Sequence, residues 1–198
     1  MNRAEQFDDT NKKQLGDKAA RLALEFRRQG FHCSESVFSA INTTLNITDP
    51  QMVRLVTGFH GGGGSRRKHP DVDLTDVLNK AAAGLDQRPL EEIPIEVTGH
   101  LCGAIAAGII CIGLLFGRRR PTDDLTCVDE LSFELHRRFD QKFGVKLCRE
   151  LREKYVPLSP NRTCEYVYQE GSRLAVELIV ESARLVDRCP KGIDWPKA

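Results

Sequence analysis

Residues 99–117 read GHLCGAIAAGIICIGLLFG, with five glycines, two cysteines and no Asp, Glu, Lys or Arg. At about 100° per residue, Leu101, Ile105, Ile109, Ile112 and Phe116 form one bulky stripe. Gly99, Gly103, Ala106, Gly113 and Gly117 lie opposite, with Ile110 among them. A helix that is apolar all round either spans a bilayer or fills the centre of a fold. A span needs about 20 apolar residues. Leu101–Phe116 supplies sixteen, many of them small. The stretch therefore reads as the buried central helix of a soluble bundle. Its Gly/Ala side is a shallow groove, suited to another helix of the same chain or to a second subunit of a homodimer.

The flanking sequence supports that reading. Leu15, Ala19, Leu22 and Phe26 repeat at helical spacing within Lys12–Gln29, and Gly30 ends the run. A second helix starts near Cys33 and carries Val37, Phe38 and Ile41. A third opens at Asp49–Pro50, a cap followed by a first-turn proline, and closes at Gly58. Beyond Pro121, with Thr122 or Asp123 as cap, Leu125, Val128, Leu131, Leu135 and Phe139 form one stripe before Gly144. A short helix holds Leu147, Cys148 and Leu151 and is stopped by Pro157 and Pro160. The last runs from about Thr163 to Val186. The predicted class is all-α, one helical domain over residues 1–198.

Between Gly61 and Val97 the periodicity fails. HGGGGSRRKHPDVD reads as a loop, Thr75–Ala83 as a short helix, and Pro94 argues against a strand over Ile93–Val97. Residues 65–97 form a long insertion that leaves the glycine run and returns just before Cys102. Leu74, Val77, Leu78, Ile93 and Ile95 give it apolar surface for a lid or a dimer contact.

Composition narrows the function. The chain of 198 residues is 40% hydrophobic and 29% charged, with a net charge of +1. That balance lacks the basic surplus of a general nucleic-acid binder. The first residues, MNRAEQFDDTNKKQ, are too polar for a secretory signal. A cytoplasmic protein is expected, with its seven cysteines mostly reduced. Neither a nucleic acid nor a membrane is expected as a partner. There is no Walker spacing, HExxH, paired-carboxylate pattern or Ser–His–Asp set.

Attention falls on the cysteines. Cys33, Cys102 and Cys164 stand at helix starts, and Cys148 stands near one. There the dipole and unpaired amides favour a thiolate. Cys111 reads as a small mid-helix hydrophobe. Cys127, beside an apolar stripe, and Cys189, in the tail, read as incidental. His32 and His100, next to or near cysteines, read either as accessory ligands or as solvated loop histidines. Glu35 and Glu150 read as helix-surface charges. Arg118–Arg120 read as cations complementing a helix C-terminus. No CxxC or CxxCH occurs.

The order Cys33, glycine run 61–64, CGAIAAG (102–108), FGVKLCREL (143–151), Cys164 resembles the C_GCAxxG_C_C family of redox-active proteins. The likeness covers about residues 15–186. Ala107 stands where the family pattern has a glycine, with Gly108 next, and insertion 65–97 departs from it. The resemblance implies a helical domain with a redox or metal role, with Cys33, Cys102, Cys148 and Cys164 as the family cysteines. It also implies kinship with split-Soret-type cytochromes, which bind an iron–sulfur centre. On this reading the four cysteines are cofactor and metal ligands, the cofactor is an iron–sulfur cluster, and a redox protein is the partner for electron transfer or redox sensing. Two further readings stay open: a metal-free thiol–disulfide protein, and a helical interaction protein whose cysteines only pack.

Overall fold

The computed structural model describes residues 9–67, 95–191, 193 and 195–196. At its centre lies α4 (Gly103–Phe116), the helix read from the glycine-rich stretch. Around it stand α1 (Asp9–Arg28), α2 (Cys33–Leu45), α5 (Thr126–Phe143) and α7 (Glu165–Val180). Shorter helices among the described residues are α3 (His60–Gly63), α6 (Cys148–Tyr155) and α8 (Ser182–Leu185). The class is all-α, as expected.

Small residues set how closely these helices approach. A Cβ placed on Gly103 would lie 2.8 Å from Cys33 Sγ on α2. One on Gly108 would lie 2.7 Å from Leu135 on α5 and 3.3 Å from Ala175 on α7. Gly103, on the Gly/Ala side of α4, thus receives α2, while Gly108, outside that side, lets α5 and α7 approach. Every residue from Gly103 to Gly108 is buried. Further along, Gly113 meets nothing within 4 Å and Leu114 is exposed, while Cys111, Ile112 and Phe116 stay buried, so the second half of α4 is enclosed on one side only. No described helix is long and apolar enough to cross a membrane.

The surrounding stripes fall largely where the periodicity put them. Leu15, Ala19 and Ala23 of α1, Phe38 and Ile41 of α2, and Leu131, Leu135 and Phe139 of α5 are buried. A polar seam joins α1, α5 and α7. Glu181, just past α7, takes Lys12 at 3.0 Å and also Arg138. Glu170 takes Lys142 at 2.8 Å and also Arg173. Each buried carboxylate is paired, as burial demands.

Several local expectations need correction. The Asp49–Gly58 helix is two 3₁₀ pieces, Pro50–Leu55 and Thr57–Phe59; Asp49 does cap the first, accepting from the Gln51 N–H at 2.8 Å. Ile95–Val97 is a strand after all. It pairs antiparallel with Ser65–Arg67, and Pro94 precedes it in sequence, where no ladder donor is required. The cap of α5 lies later than Thr122 or Asp123. Asp124 accepts the Thr126 N–H at 3.0 Å, while Asp123 accepts those of Arg119 and Arg120. The arginine run is therefore a turn closed on its own aspartate. The last helix is interrupted at Glu181. The short helix predicted over Thr75–Ala83 and the apolar residues Leu74, Val77, Leu78 and Ile93 lie outside the described residues.

The largest correction concerns the cysteines read as incidental. Cys127 and Cys189 form a disulfide across a sequence separation of 62. The other five are free thiols. The pairing was hidden because an odd count and the absence of close spacing gave no signal. Only the return of the tail to the start of α5 brings the two together.

Candidate functional site

The site is assembled on the segment Gly99–Cys102, which follows the strand Ile95–Val97 and is gripped from both sides. On one side the glycine turn receives it: Gly99 and His100 donate to the carbonyls of Gly61 and Gly62 at 3.0 and 3.1 Å. Thr98 Oγ1 adds a hydrogen bond to Gly62 O at 2.7 Å. On the other side Cys148 N–H donates to His100 O at 2.6 Å and Arg149 N–H to Gly99 O at 3.1 Å. Gly61 and Gly62 have φ of 68° and 84°, in the left-handed region that glycine enters at no steric cost. At Gly62 a side chain is excluded outright, since a Cβ would sit 2.5 Å from His100 N and 2.8 Å from Cys148 Cβ. The glycine run is thus a joint that lets α6 and α4 start side by side.

The four cysteines of the family resemblance line one cavity. Cys33 is the first residue of α2 and Cys148 the first of α6. Cys102 is the N-cap of α4 and Cys164 that of α7. Four helix N-termini therefore converge, each delivering one sulfur to a space of about 40 Å³. Leu151 and Val167 supply apolar wall, Tyr168 and Arg152 the polar remainder. The Tyr168 hydroxyl accepts the Cys164 N–H at 3.3 Å, holding one orphan amide of the α7 terminus. Cys111 is buried on α4 and does not line the cavity.

Neither His32 nor His100 lines it. His32 stacks on His60, ring centroids 4.6 Å apart, and His100 contributes its backbone, donating to Gly62 O and accepting from Cys148 N–H. Glu35 does more than decorate a helix. Its carboxylate accepts from the His32 N–H at 2.8 Å and from Thr57 Oγ1 at 2.8 Å, tying the start of α2 to the segment that leads into the glycine turn.

Electrostatics reverse a simple expectation. Helix N-termini favour thiolate, yet burial pushes all four thiols up. Cys164 reaches about 12, chiefly through desolvation, with Arg152 opposing. The amides of Gly61 and Ser34 oppose the rise at Cys33, and those of Ala104 and Ile105 at Cys102. Cys33 also raises Cys102, Cys148 and Cys164 by like-charge repulsion. Desolvation outweighs the dipoles, so at neutral pH the cavity holds four neutral thiols. A thiophilic metal would replace those protons, and its charge would compensate the thiolates.

The donor set suits such a metal: four sulfurs, with no carboxylate or imidazole among the lining residues. A single ion matches the volume. Among the described residues, however, no group of three or more Cys, His, Asp or Glu is already arranged to hold a metal.

Residues 92–178 match the model of the family described as "Putative redox-active protein (C_GCAxxG_C_C)". The match includes Cys102, Cys148 and Cys164. It is shorter than the likeness read from the sequence and leaves out Cys33 and the glycine run, which join the site through tertiary contact. No curated protein and no solved structure matches the chain.

Proposed function

We propose that this is a redox protein that holds an iron–sulfur cluster or another thiophilic metal on Cys33, Cys102, Cys148 and Cys164, for electron transfer or redox sensing with a partner protein. The observation that carries this reading is the meeting of four helix N-termini, each with one cysteine, at a single cavity. A dithiol switch needs two sulfurs and has no use for four dipoles. A metal held by four thiolates carries excess negative charge, which helix N-termini stabilise. An iron–sulfur cluster, when bound, would supply one-electron chemistry. The chain supplies the ligands, the Arg152 charge beside Cys148 and Cys164, and the apolar wall that limits water.

The test is anaerobic purification followed by visible spectroscopy and iron and sulfide analysis. Absorbance that bleaches on reduction, and is lost in Cys148→Ser and Cys164→Ser but kept in Cys111→Ser, supports the proposal. A colourless, metal-free protein that loses two cavity thiols on mild oxidation would instead favour thiol–disulfide cycling between two of the cysteines that share this cavity.

A further inference from the structure

We propose that the Cys127–Cys189 disulfide is a second redox centre, separate from the four-cysteine cavity, and that a dithiol reductant opens it to release the C-terminal tail. It is a bonded pair in a chain whose other five cysteines are free thiols. Its two halves are unequally held. Cys127 lies in the first turn of α5, a long helix packed in the core. Cys189 lies in a turn after the last helix, where its N–H donates to Val186 O at 3.0 Å. Beyond it, Ile193 and Trp195 pack against the core at partial burial.

Both sulfurs are shielded, Cys189 at 3% exposure and Cys127 at 6%. Access to Cys189 nevertheless runs through its own segment, residues 186–191, which holds turns and bends and no helix. Irregular segments outside helices open at less cost than the helices themselves. The chemistry also has a direction. An incoming thiolate attacks Cys189 Sγ and expels Cys127 as thiolate. The amides at the start of α5 stabilise that leaving group, and a better-stabilised thiolate leaves faster. The second thiol of the reductant then attacks the mixed disulfide and frees Cys189. The reductant is oxidised to its own disulfide. Two electrons and two protons end on Cys127 and Cys189.

Release has a reporter, because Trp195 is the sole tryptophan of the chain. The full-length oxidised protein is equilibrated with dithiothreitol buffers of stepped potential, alkylated, and mapped by mass spectrometry. Expected is joint labelling of Cys127 and Cys189 in one two-electron step while far-ultraviolet helicity persists. Over the same step Trp195 emission should shift to the red and tryptic cleavage at Arg188 and Lys191 should accelerate. The Cys127→Ser/Cys189→Ser protein should show the released signature without reductant; if it does not fold, the wild-type titration alone decides. Cys148→Ser should leave the step in place, which separates this centre from the cavity. The proposal is overturned if the pair opens only where helicity is lost, or if emission and cleavage are the same in both states.

Discussion

The two cysteine centres of this chain are built on opposite principles. The cavity gathers four thiols from four helices without a covalent link, and burial keeps them protonated. The Cys127–Cys189 pair is a covalent link between one helix start and the tail. It closes a loop that contains Cys148 and Cys164, whereas Cys33 and Cys102 lie outside it. Half of the cavity is therefore delivered by the stapled part of the chain and half by the unstapled part. A non-covalent cluster depends on packing for its geometry, and a staple supports packing by restricting the unfolded chain. The second centre bears on the first through stability, without touching it.

The largest effect should come from removing the staple. A closed loop of this length is worth about 4 kcal/mol of unfolding free energy in the chain-entropy view. Cys127→Ser/Cys189→Ser should lose about that much in urea unfolding. A loss below ~1 kcal/mol would make the bond irrelevant to the cavity's support and would break the comparison.

Next comes the joint of the unstapled half. Gly62→Ala places a Cβ against His100 N and Cys148 Cβ at a left-handed φ, and should lose ~3 kcal/mol or more. Gly63→Ala, with φ of 102° but Thr98 Oγ1 no nearer than 3.7 Å, should lose only the ~1–2 kcal/mol of backbone strain. Equal losses would show that strain, not the clash at the cavity wall, governs this turn.

The cavity thiols and a carboxylate of the stapled loop should respond to opposite ends of the pH scale. The cavity thiols titrate above their unfolded value, so the unfolded chain gives up protons first as pH rises. Stability without metal should hold below pH 9 and fall as pH climbs toward about 12, the value for Cys164, by up to ~1.4 kcal/mol per pH unit for each thiol. Cys164→Ala should flatten that slope in thermal unfolding. An unchanged slope would mean the thiols do not titrate as buried groups.

On α5, within the stapled loop, the sign reverses. Hydrogen bonds from Arg137 and then Arg138 hold the Glu134 carboxyl down at about 2. Its stabilisation is present above pH 4.5 and lost as pH falls toward 2. Glu134→Gln should cost ~0.5–1 kcal/mol at pH 7, since the group is partly solvent-screened, and progressively less as pH falls toward 2. Acid titration of both proteins checks it; parallel curves would show the ion pairs to be idle.

Much of this molecule is written locally. The sixteen-residue apolar run was too short for a bilayer, and its alternation of small and bulky positions called for close helix neighbours; Gly103 and Gly108 meet them. The stripes of α1, α2 and α5 follow from side-chain period alone, which is a property of the backbone helix and survives in any fold. The positions of Cys33, Cys102, Cys148 and Cys164 at helix starts were also legible, because caps and breakers act within a few residues. What those positions meant electrostatically was not. A helix start favours thiolate, but burial opposes it more strongly, and burial is decided by what packs from elsewhere. The pairing of Ile95–Val97 with Ser65–Arg67 and the grip of the glycine turn on Gly99–Cys102 likewise depend on backbone partners distant in sequence. The clearest case is Cys127 with Cys189. Nothing within 62 residues of chain announces the bond; it exists because α5, α6 and α7 bring the tail back to where α5 began.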